Sequence, residues 1–212
     1  MKDMYLSRVL LDISKRKTQM ALASPGKFHG AVETAFAEKQ ERNLWRIDTL
    51  QGKTYLLLLS AVKPDLAVIE KQFGYENIHG ESKEYEKLLN RIQKGSVWHF
   101  RLTANPIHSV KNGEGRGKVT AHISEKHQLE WLNRQAAKKG FYVLPETARV
   151  QGVNWRRFYK QNRGRKVCIL EVTYEGMLRV ENADLLKQAL VDGVGRGKAY
   201  GMGLLTVAGM EG

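Results

Sequence analysis

Residues 97–106, Val-Trp-His-Phe-Arg-Leu-Thr-Ala-Asn-Pro, carry the pattern that decides the fold. Apolar and polar side chains alternate along this stretch, as expected of a strand with one buried face. Its apolar positions are Trp98, Phe100, Leu102 and Ala104. Asn105-Pro106 ends the strand, because proline cannot donate to a ladder of backbone hydrogen bonds. An amphipathic strand therefore lies near the middle of the chain, and the elements on either side can be placed from it.

The second half of the chain predicts a further series of alternating elements. A helix starts after Ser124 and stops at Gly140, and Asn182 caps a final helix. Strands are predicted at residues 141–144, at 167–180 with an interruption at Gly176, and at 203–208. The order is strand–helix–strand–strand–helix–strand. This is the ferredoxin-like or RRM-like arrangement, whose antiparallel sheet often carries RNA.

The first half shows a less distinct version of the same order. A strand at 4–13 is followed by a helix that begins at Ser24-Pro25, where the serine hydroxyl is expected to cap it. Two strands, at 44–47 and 54–62, follow this helix, and a short helix is expected at 84–92. The overall prediction is an α+β chain with two tandem ferredoxin-like domains and antiparallel sheets, spanning residues 1–94 and 95–212.

The charge of the chain indicates a polyanionic partner. It has 212 residues, a formal net charge of +13 and an isoelectric point near 9.8. Nucleic acid fits this charge, because binding to phosphates releases condensed counterions. An anionic membrane is less favoured, since no helix combines a basic face with a broad exposed apolar one. A basic surface that serves only solubility remains an alternative, and charge alone does not separate these cases.

Several protein classes are excluded by composition. No apolar run approaches the roughly 20 residues needed to span a bilayer, and the N-terminus lacks the apolar core of a signal peptide. Cys168 is the single cysteine, which excludes an internal disulfide and a cysteine-rich zinc site. We therefore expect a cytosolic protein.

Residues 155–166 form the strongest candidate for a binding segment. They contain six basic residues, no acidic residue and three aromatic residues, with turn-forming residues at 162–164. Such a segment is typical of a basic β-hairpin, whose guanidinium groups bind phosphates and guanine edges while its aromatic rings stack on bases. A solvated loop between strands is the alternative.

A second candidate is the glycine-rich segment 193–203, which has five glycines in 11 residues together with Arg196 and Lys198. Glycines allow a phosphate backbone to approach the main chain closely. The spacing matches neither a P-loop nor a Rossmann turn.

The six histidines provide no obvious metal cage. No pair has the spacing of a zinc protease, and no histidine stands in a carboxylate cluster. His29 lies about one turn into the helix that begins at Ser24-Pro25. Taken alone, such a residue is more often an ordinary surface histidine than a catalytic one.

The chain resembles the CasE family, the CRISPR RNA-processing endoribonucleases of type I-E Cascade complexes. The similarity is carried by five segments in order: residues 4–9, the segment 24–29 with Phe36 beyond it, the strand end 100–106, residues 174–178 (Tyr-Glu-Gly-Met-Leu), and residues 195–205 (Gly-Arg-Gly-Lys-Ala-Tyr-Gly-Met-Gly-Leu-Leu). The family fold is a pair of ferredoxin-like domains, which agrees with the independent prediction above.

The resemblance implies cleavage on the 3′ side of a CRISPR repeat stem-loop without a metal or other cofactor, and retention of the product crRNA. The implied partners are the repeat RNA and the other Cascade subunits, with no membrane. It implies His29 as the proton-transferring residue, acting as general base or general acid. Lys27 and Tyr5 are further catalytic candidates. The candidate RNA-binding residues are Trp155, Arg156, Arg157, Tyr159, Lys160, Arg163, Arg165, Lys166, Arg196 and Lys198.

The sequence departs from the family pattern at two positions. Relatives commonly carry a tyrosine three residues before the histidine, where this chain has Gly26, so Tyr5 or another donor is expected to take that role. Arg196 stands where the family usually has proline, which suggests an added phosphate contact. The alternatives are a non-catalytic subunit that only holds an RNA hairpin, and a ribosomal or chaperone-like basic protein that binds many RNAs.

Overall fold

A computed structural model describes residues 3–38, 43–110, 118–159, 164 and 166–210. Its helices and strands, in chain order, are β1 Tyr5–Leu10, α1 Arg16–Ala23, α2 Gly26–Thr34, β2 Leu44–Leu50, β3 Lys53–Ser60, α3 Ala67–Phe73, β4 Glu81–Glu84, α4 Glu86–Leu89, β5 Val97–Ala104, β6 Ile107–Val110, β7 Lys118–Ala121, α5 Glu125–Lys138, β8 Phe141–Val143, β9 Arg149–Tyr159, β10 Lys166–Val180, α6 Ala183–Asp192 and β11 Leu205–Ala208. No helix in these ranges is long and apolar enough to cross a membrane.

The first sheet has the strand order β2-β3-β1-β4 and is antiparallel throughout. Its buried strand residues pack against α1, α2 and α3 in one core cluster, which includes Val9, Leu56 and Phe28. With helices between its first and second and between its third and fourth strands, this half has the ferredoxin-like topology.

The second sheet repeats that order with β11-β5-β10-β8, and β9 adds to it by pairing with β10. The alternation seen in the sequence is confirmed on β5, where Phe100, Leu102 and Ala104 are buried. The predicted α+β class with two ferredoxin-like units is therefore confirmed. A domain boundary near residue 94, between α4 and β5, stays a prediction.

Four parts of the chain differ from the sequence-based expectation. Ser24 ends α1, an unforeseen helix, and no side chain caps α2. Strand β10 runs without a break through Gly176. Residues 64–80, for which the sequence gives no clear assignment, contain α3, with Ile69 and Phe73 buried. Strand β4 is a short polar strand on the sheet edge, without the apolar alternation that predicts a strand.

A buried ion network joins the two sheets. Arg46 on β2 donates to Asp48 at 2.6 Å, and both side chains are only 2% exposed. The same guanidinium donates to the backbone oxygen of Leu204 at 2.8 Å and to Thr206 Oγ1 at 2.9 Å, which belong to the second half. Arg101 on β5 contacts the other Asp48 oxygen at 3.0 Å. Burial lowers the pKa of Arg46, and the Asp48 carboxylate opposes that shift.

Candidate active site and RNA interface

A groove of about 250 Å³ lies between the two ferredoxin-like units. One wall comes from the α1–α2 connection and β2, including Leu22, Pro25 and Trp45. The facing wall comes from β9, β10 and the glycine-rich segment, including Arg156 and Tyr200. The groove therefore brings together the two binding segments and the helix that carries His29.

The basic hairpin formed by β9 and β10 has two chemically different faces, because successive strand residues point to opposite sides. Its inner face, with Arg156 and Phe158, packs toward the groove. Arg156 makes a forked contact to Glu171, with Nη2 to Oε1 at 2.8 Å. Its Nη1 also donates to the backbone oxygen of Leu22 at 3.4 Å. Phe158 meets the edge of the Tyr200 ring with centroids 4.8 Å apart.

The outer face of the hairpin is free for a ligand. Its members are the exposed residues Trp155, Arg157, Tyr159 and Lys166. Trp155 and Tyr159 are 48% and 67% exposed, which is unusual for large aromatic side chains without a partner. Two cations and two aromatic rings on one face of the two-stranded hairpin suit phosphate binding combined with base stacking. The predicted contacts Lys160, Arg163 and Arg165 lie outside the described residues.

His29 lies on α2 at the margin of the buried face of that helix, one residue after the buried Phe28. Its Nε2 is 3.3 Å from Oε1 of Glu33, one turn further along, and the imidazole is 38% exposed. Helix α2 packs against the short 3-10 turn Lys198–Tyr200 of the glycine-rich segment. The second half of the chain thus supports the helix that presents His29 to solvent.

The other two catalytic candidates lie apart from the groove. Lys27 is two residues before His29, so its side chain leaves α2 on the opposite side. There it lines a different groove with Met20 and Gln72. Tyr5 is half-buried on β1, between Ser60 of β3 and Glu84 of β4, and is not among the residues that line the groove. The structure does not bring Lys27 or Tyr5 together with His29.

There is free space around Gly26, the position at which relatives commonly carry a tyrosine. Nothing lies within 4 Å of the place where a Cβ at Gly26 would stand. A side chain three residues before His29 is its neighbour on the helix surface. Packing against the described residues therefore does not account for glycine at this position.

The two cations of the glycine-rich segment have different surroundings. Arg196 is exposed and lines a second groove, beside β6 and α5. Lys198 is half-buried, and its ammonium donates to the backbone oxygen of Asp192, the last residue of α6. A cation at this position compensates the partial negative charge of the helix C-terminus. Lys198 thus helps to hold the glycine-rich segment against α6, a role that does not depend on a ligand.

Gly201 permits the close approach of this segment to the first domain. Its φ is +81°, and a Cβ placed on it would lie 2.7 Å from Cζ3 of the Trp45 ring. Trp45 is 2% exposed and lines the groove, and its indole N–H has no partner among the described residues.

We expect Gly201→Ala to lower the free energy of unfolding by about 1–3 kcal/mol more than Gly52→Ala, since the new methyl group must displace a buried ring. Gly52 is the matched control, because its φ is +75° and nothing lies within 4 Å of its Cβ position. Urea denaturation of both variants measures the difference. Equal losses of unfolding free energy in the two variants would show that the Trp45 ring moves aside without a cost in stability.

Two residues of the site were not predicted from the sequence. Glu33 could have been found, because a histidine and a carboxylate four residues apart meet on a helix. Glu171 could not, since its contact with Arg156 depends on the register of β9 against β10. Within the described residues, no group of three or more His, Cys, Asp or Glu side chains is arranged to hold a metal ion.

Comparison with known proteins gives matches over nearly the whole chain. A family model described as "CRISPR associated protein" matches residues 4–209. The CRISPR-associated endoribonuclease Cse3 of Thermus thermophilus is 30% identical over 219 residues, covering 97% of this chain and 100% of that protein. The CRISPR system Cascade subunit CasE of Escherichia coli is 31% identical over 129 residues, covering 56% and 61%.

Solved structures agree with the sequence matches. Thermus thermophilus Cse3 bound to an RNA representing a pre-cleavage complex has a TM-score of 0.82 and 25% identity, covering 97% of this chain and 99% of that one. The fold, the order of motifs and the family match all lead to one assignment. The chain belongs to the family of CRISPR-associated proteins that includes the endoribonuclease Cse3 and the Cascade subunit CasE.

Proposed function

We propose that this protein is an endoribonuclease that cleaves CRISPR repeat RNA on the 3′ side of its stem-loop and keeps the product crRNA bound. Cse3 is named a CRISPR-associated endoribonuclease and has been solved with RNA in a pre-cleavage state. CasE is named a Cascade subunit, and the other Cascade subunits are the protein partners we propose here. We place the protein in the cytoplasm, where CRISPR transcripts are made.

The hydrogen bond from Arg156 to Leu22 is the observation that carries this proposal. It ties the basic hairpin to the last turn of α1 at Leu22, three residues before Pro25 and the start of the helix with His29. The bond fixes the inner face of the hairpin against the domain that carries His29, and RNA bound to the hairpin would need to extend around its edge to reach the imidazole. A protein that only held RNA would not need a titratable side chain at that place.

The chemistry uses a nucleophile that RNA itself supplies. The 2′-hydroxyl beside the scissile phosphate attacks phosphorus, the bond to the 5′-oxygen breaks, and a 2′,3′-cyclic phosphate and a 5′-hydroxyl remain. His29 takes the proton from the 2′-hydroxyl or gives one to the leaving oxygen. Oε1 of Glu33 lies 3.3 Å from Nε2, which leaves Nδ1 as the nitrogen away from the carboxylate.

Lys27 and Tyr5 remain candidates for supporting roles, as a charge near the phosphate and as a second proton donor. Like His29, neither lines the groove, but Lys27 faces a different groove on the opposite side of α2 and Tyr5 lies on β1, so RNA at His29 would have to extend further to meet them. Lys27 offers the positive charge that a phosphorane needs. Their substitution should therefore slow cleavage less than loss of His29.

The assay for this function is single-turnover cleavage of the host's repeat RNA in EDTA, with detection of a cyclic phosphate end. Cleavage in EDTA would support the metal-independent reaction. Tight binding without cleavage would favour the alternative of a non-catalytic RNA-holding subunit. Equal binding to unrelated stem-loops would instead indicate a general RNA-binding protein of the ribosomal or chaperone type.

We expect Arg157→Ala to weaken repeat RNA binding and to reduce the slope of log affinity against log salt by about one, since each lost phosphate contact removes one counterion release. Arg157 is chosen because it is exposed on the outer face of the hairpin, opposite Cys168. Fluorescence anisotropy at several salt concentrations provides the measurement.

The matched control is Arg179→Ala on β10, the strand that pairs with β9. Arg179 is 48% exposed and pairs with Glu181 at 2.9 Å, away from the hairpin end. Its substitution should leave the salt slope unchanged. If Arg157→Ala and Arg179→Ala gave the same slope as the wild type, the outer face of the hairpin would not contact phosphate.

A further inference from the structure

Three histidines form a cluster outside the proposed active site. The rings of His108 on β6 and His122 are stacked, with centroids 4.4 Å apart and an angle of 29° between their planes. The centroid of His127 on α5 is 5.9 Å from that of His122. Arg134, also on α5, places Nη2 3.3 Å from Nε2 of His122. Such a concentration of cationic and protonatable groups is repulsive unless an anion lies nearby.

The cluster continues into the second groove, whose volume is about 350 Å³. His108 lines this groove together with Arg196 of the glycine-rich segment. Apolar surface is provided by Ile107 and Val119, and hydrogen-bonding side chains by Ser109 and Gln135. The volume lies within the range of about 300–1,000 Å³ that is typical of small-ligand sites. The lining combines cations for a phosphate with apolar and amide groups for a base.

We propose that this groove, with the histidine cluster at its margin, binds one nucleotide of unpaired RNA that flanks the repeat hairpin, and that it does so more tightly as the pH falls. Arg196 and His108 bind the phosphate, and His122 supports His108 from behind by stacking. The proposal rests on the RNA-processing function above and adds a second contact to it. A duplex is excluded by the small size of the groove.

The glycine-rich segment connects the two grooves. Tyr200 and Gly201 line the active-site groove, and Gly195 and Arg196 line the second one. Four residues of chain span at most about 14 Å when fully extended. An RNA strand that leaves the hairpin beside Tyr200 therefore needs to continue only a short distance to reach Arg196.

The pH dependence follows from the groups that face His122. Burial, His108, Arg134 and His127 lower the pKa of His122, in that order, and Glu130 on α5 opposes them. These surroundings therefore favour the neutral form of the His122 imidazole. A bound phosphate favours the protonated form and raises the pKa, so that binding takes up a proton. By linkage, the affinity for the flanking RNA increases as the pH falls toward the range in which His122 of the free protein becomes protonated.

The test measures binding of two RNAs, the bare repeat hairpin and the same hairpin with unpaired flanking nucleotides, between pH 5.5 and 7.5. Binding is read by anisotropy with product-like RNA, so that cleavage plays no part. We expect the advantage of the flanked RNA to grow up to about tenfold at low pH. In the double variant His108→Asn and His122→Asn, this growth should disappear.

The control is His79→Asn, because His79 is 83% exposed and contacts Glu70 in the first half of the chain. A second variant, Arg196→Gln, changes an exposed residue and should remove most of the flank advantage at every pH, with a salt slope lower by about 0.7. An unchanged pH profile in the double variant, or no flank advantage in the wild type, would overturn the proposal. Failure to bind either RNA would instead contradict the proposed function itself.

Discussion

The variant His29→Ala should cleave repeat RNA about 10²–10⁴-fold more slowly than the wild type in a single-turnover assay, because positioned proton transfer contributes about that factor. Binding should be nearly unchanged. The imidazole follows Phe28, which lines the groove, and is itself 38% exposed, with its described polar contact to Glu33 on its own helix. Removing it leaves the basic hairpin and the glycine-rich segment intact.

Two matched variants separate chemistry from structure in this experiment. His79→Ala removes an exposed histidine paired with Glu70 and should cleave at the wild-type rate. Glu33→Gln keeps a hydrogen-bond acceptor for Nε2 but removes the charge, so it should slow cleavage less than His29→Ala. If His29→Ala and the wild type cleaved at the same rate, His29 would have no part in the reaction. If neither cleaved but both bound tightly, the RNA-holding alternative would stand.

The fold was predictable because its determinants are local. Alternation along β5 and the Asn182 cap of α6 each depend on a few neighbouring residues, and both are seen in the structure. The helices and strands that were missed lack such signals. Strand β4, Glu-Ser-Lys-Glu, forms because β1 offers it a free edge, with Ser7 and Ser82 hydrogen-bonded across the pair at 2.7 Å. Tertiary context of this kind leaves no periodicity in the sequence.

The site residues stay predictions, and the structure shows that the members of the basic segment have different surroundings. The segment 155–166 was expected to bind RNA as a whole. Its residues alternate, however, between an outer face with Arg157 and an inner face, where Arg156 is held by Glu171 and Leu22. The split follows from the pairing of β9 with β10 and from the position of the first domain, neither of which is encoded in the segment itself. The contacts that Lys160, Arg163 and Arg165 were predicted to make stay predictions.

The relation between the two domains was not predictable either, and it rests on the buried Arg46–Asp48 pair. Both residues lie on β2, and charged residues such as these favour the solvent-exposed face of a strand. In the structure they face the second sheet, and Arg46 reaches backbone oxygens of Arg101 and Leu204 at 3.1 and 2.8 Å. An isolated guanidinium in this environment would be strongly unfavourable, so the carboxylate and the carbonyl groups must all be in place.

We expect Arg46→Met and Asp48→Leu each to lower the free energy of unfolding by about 3–5 kcal/mol, since each removes the shortest ion-pair contact of a buried charge and leaves Asp48 with Arg101 alone or Arg46 with neutral oxygens alone. The double variant should lose less than the worse of the two single variants, because apolar side chains that replace a whole buried pair restore packing without a charge to desolvate. Urea denaturation of the four proteins measures the coupling.

The exposed pair Arg179–Glu181, at 48% and 49% exposure, is the control, and breaking it should cost no more than about 1 kcal/mol. Additive losses at Arg46 and Asp48 would mean that the two side chains stabilise the interface independently, Arg46 through the backbone oxygens and Asp48 through Arg101. A strong coupling would mean that they act as one unit, and the orientation of the hairpin relative to His29 would then depend on it.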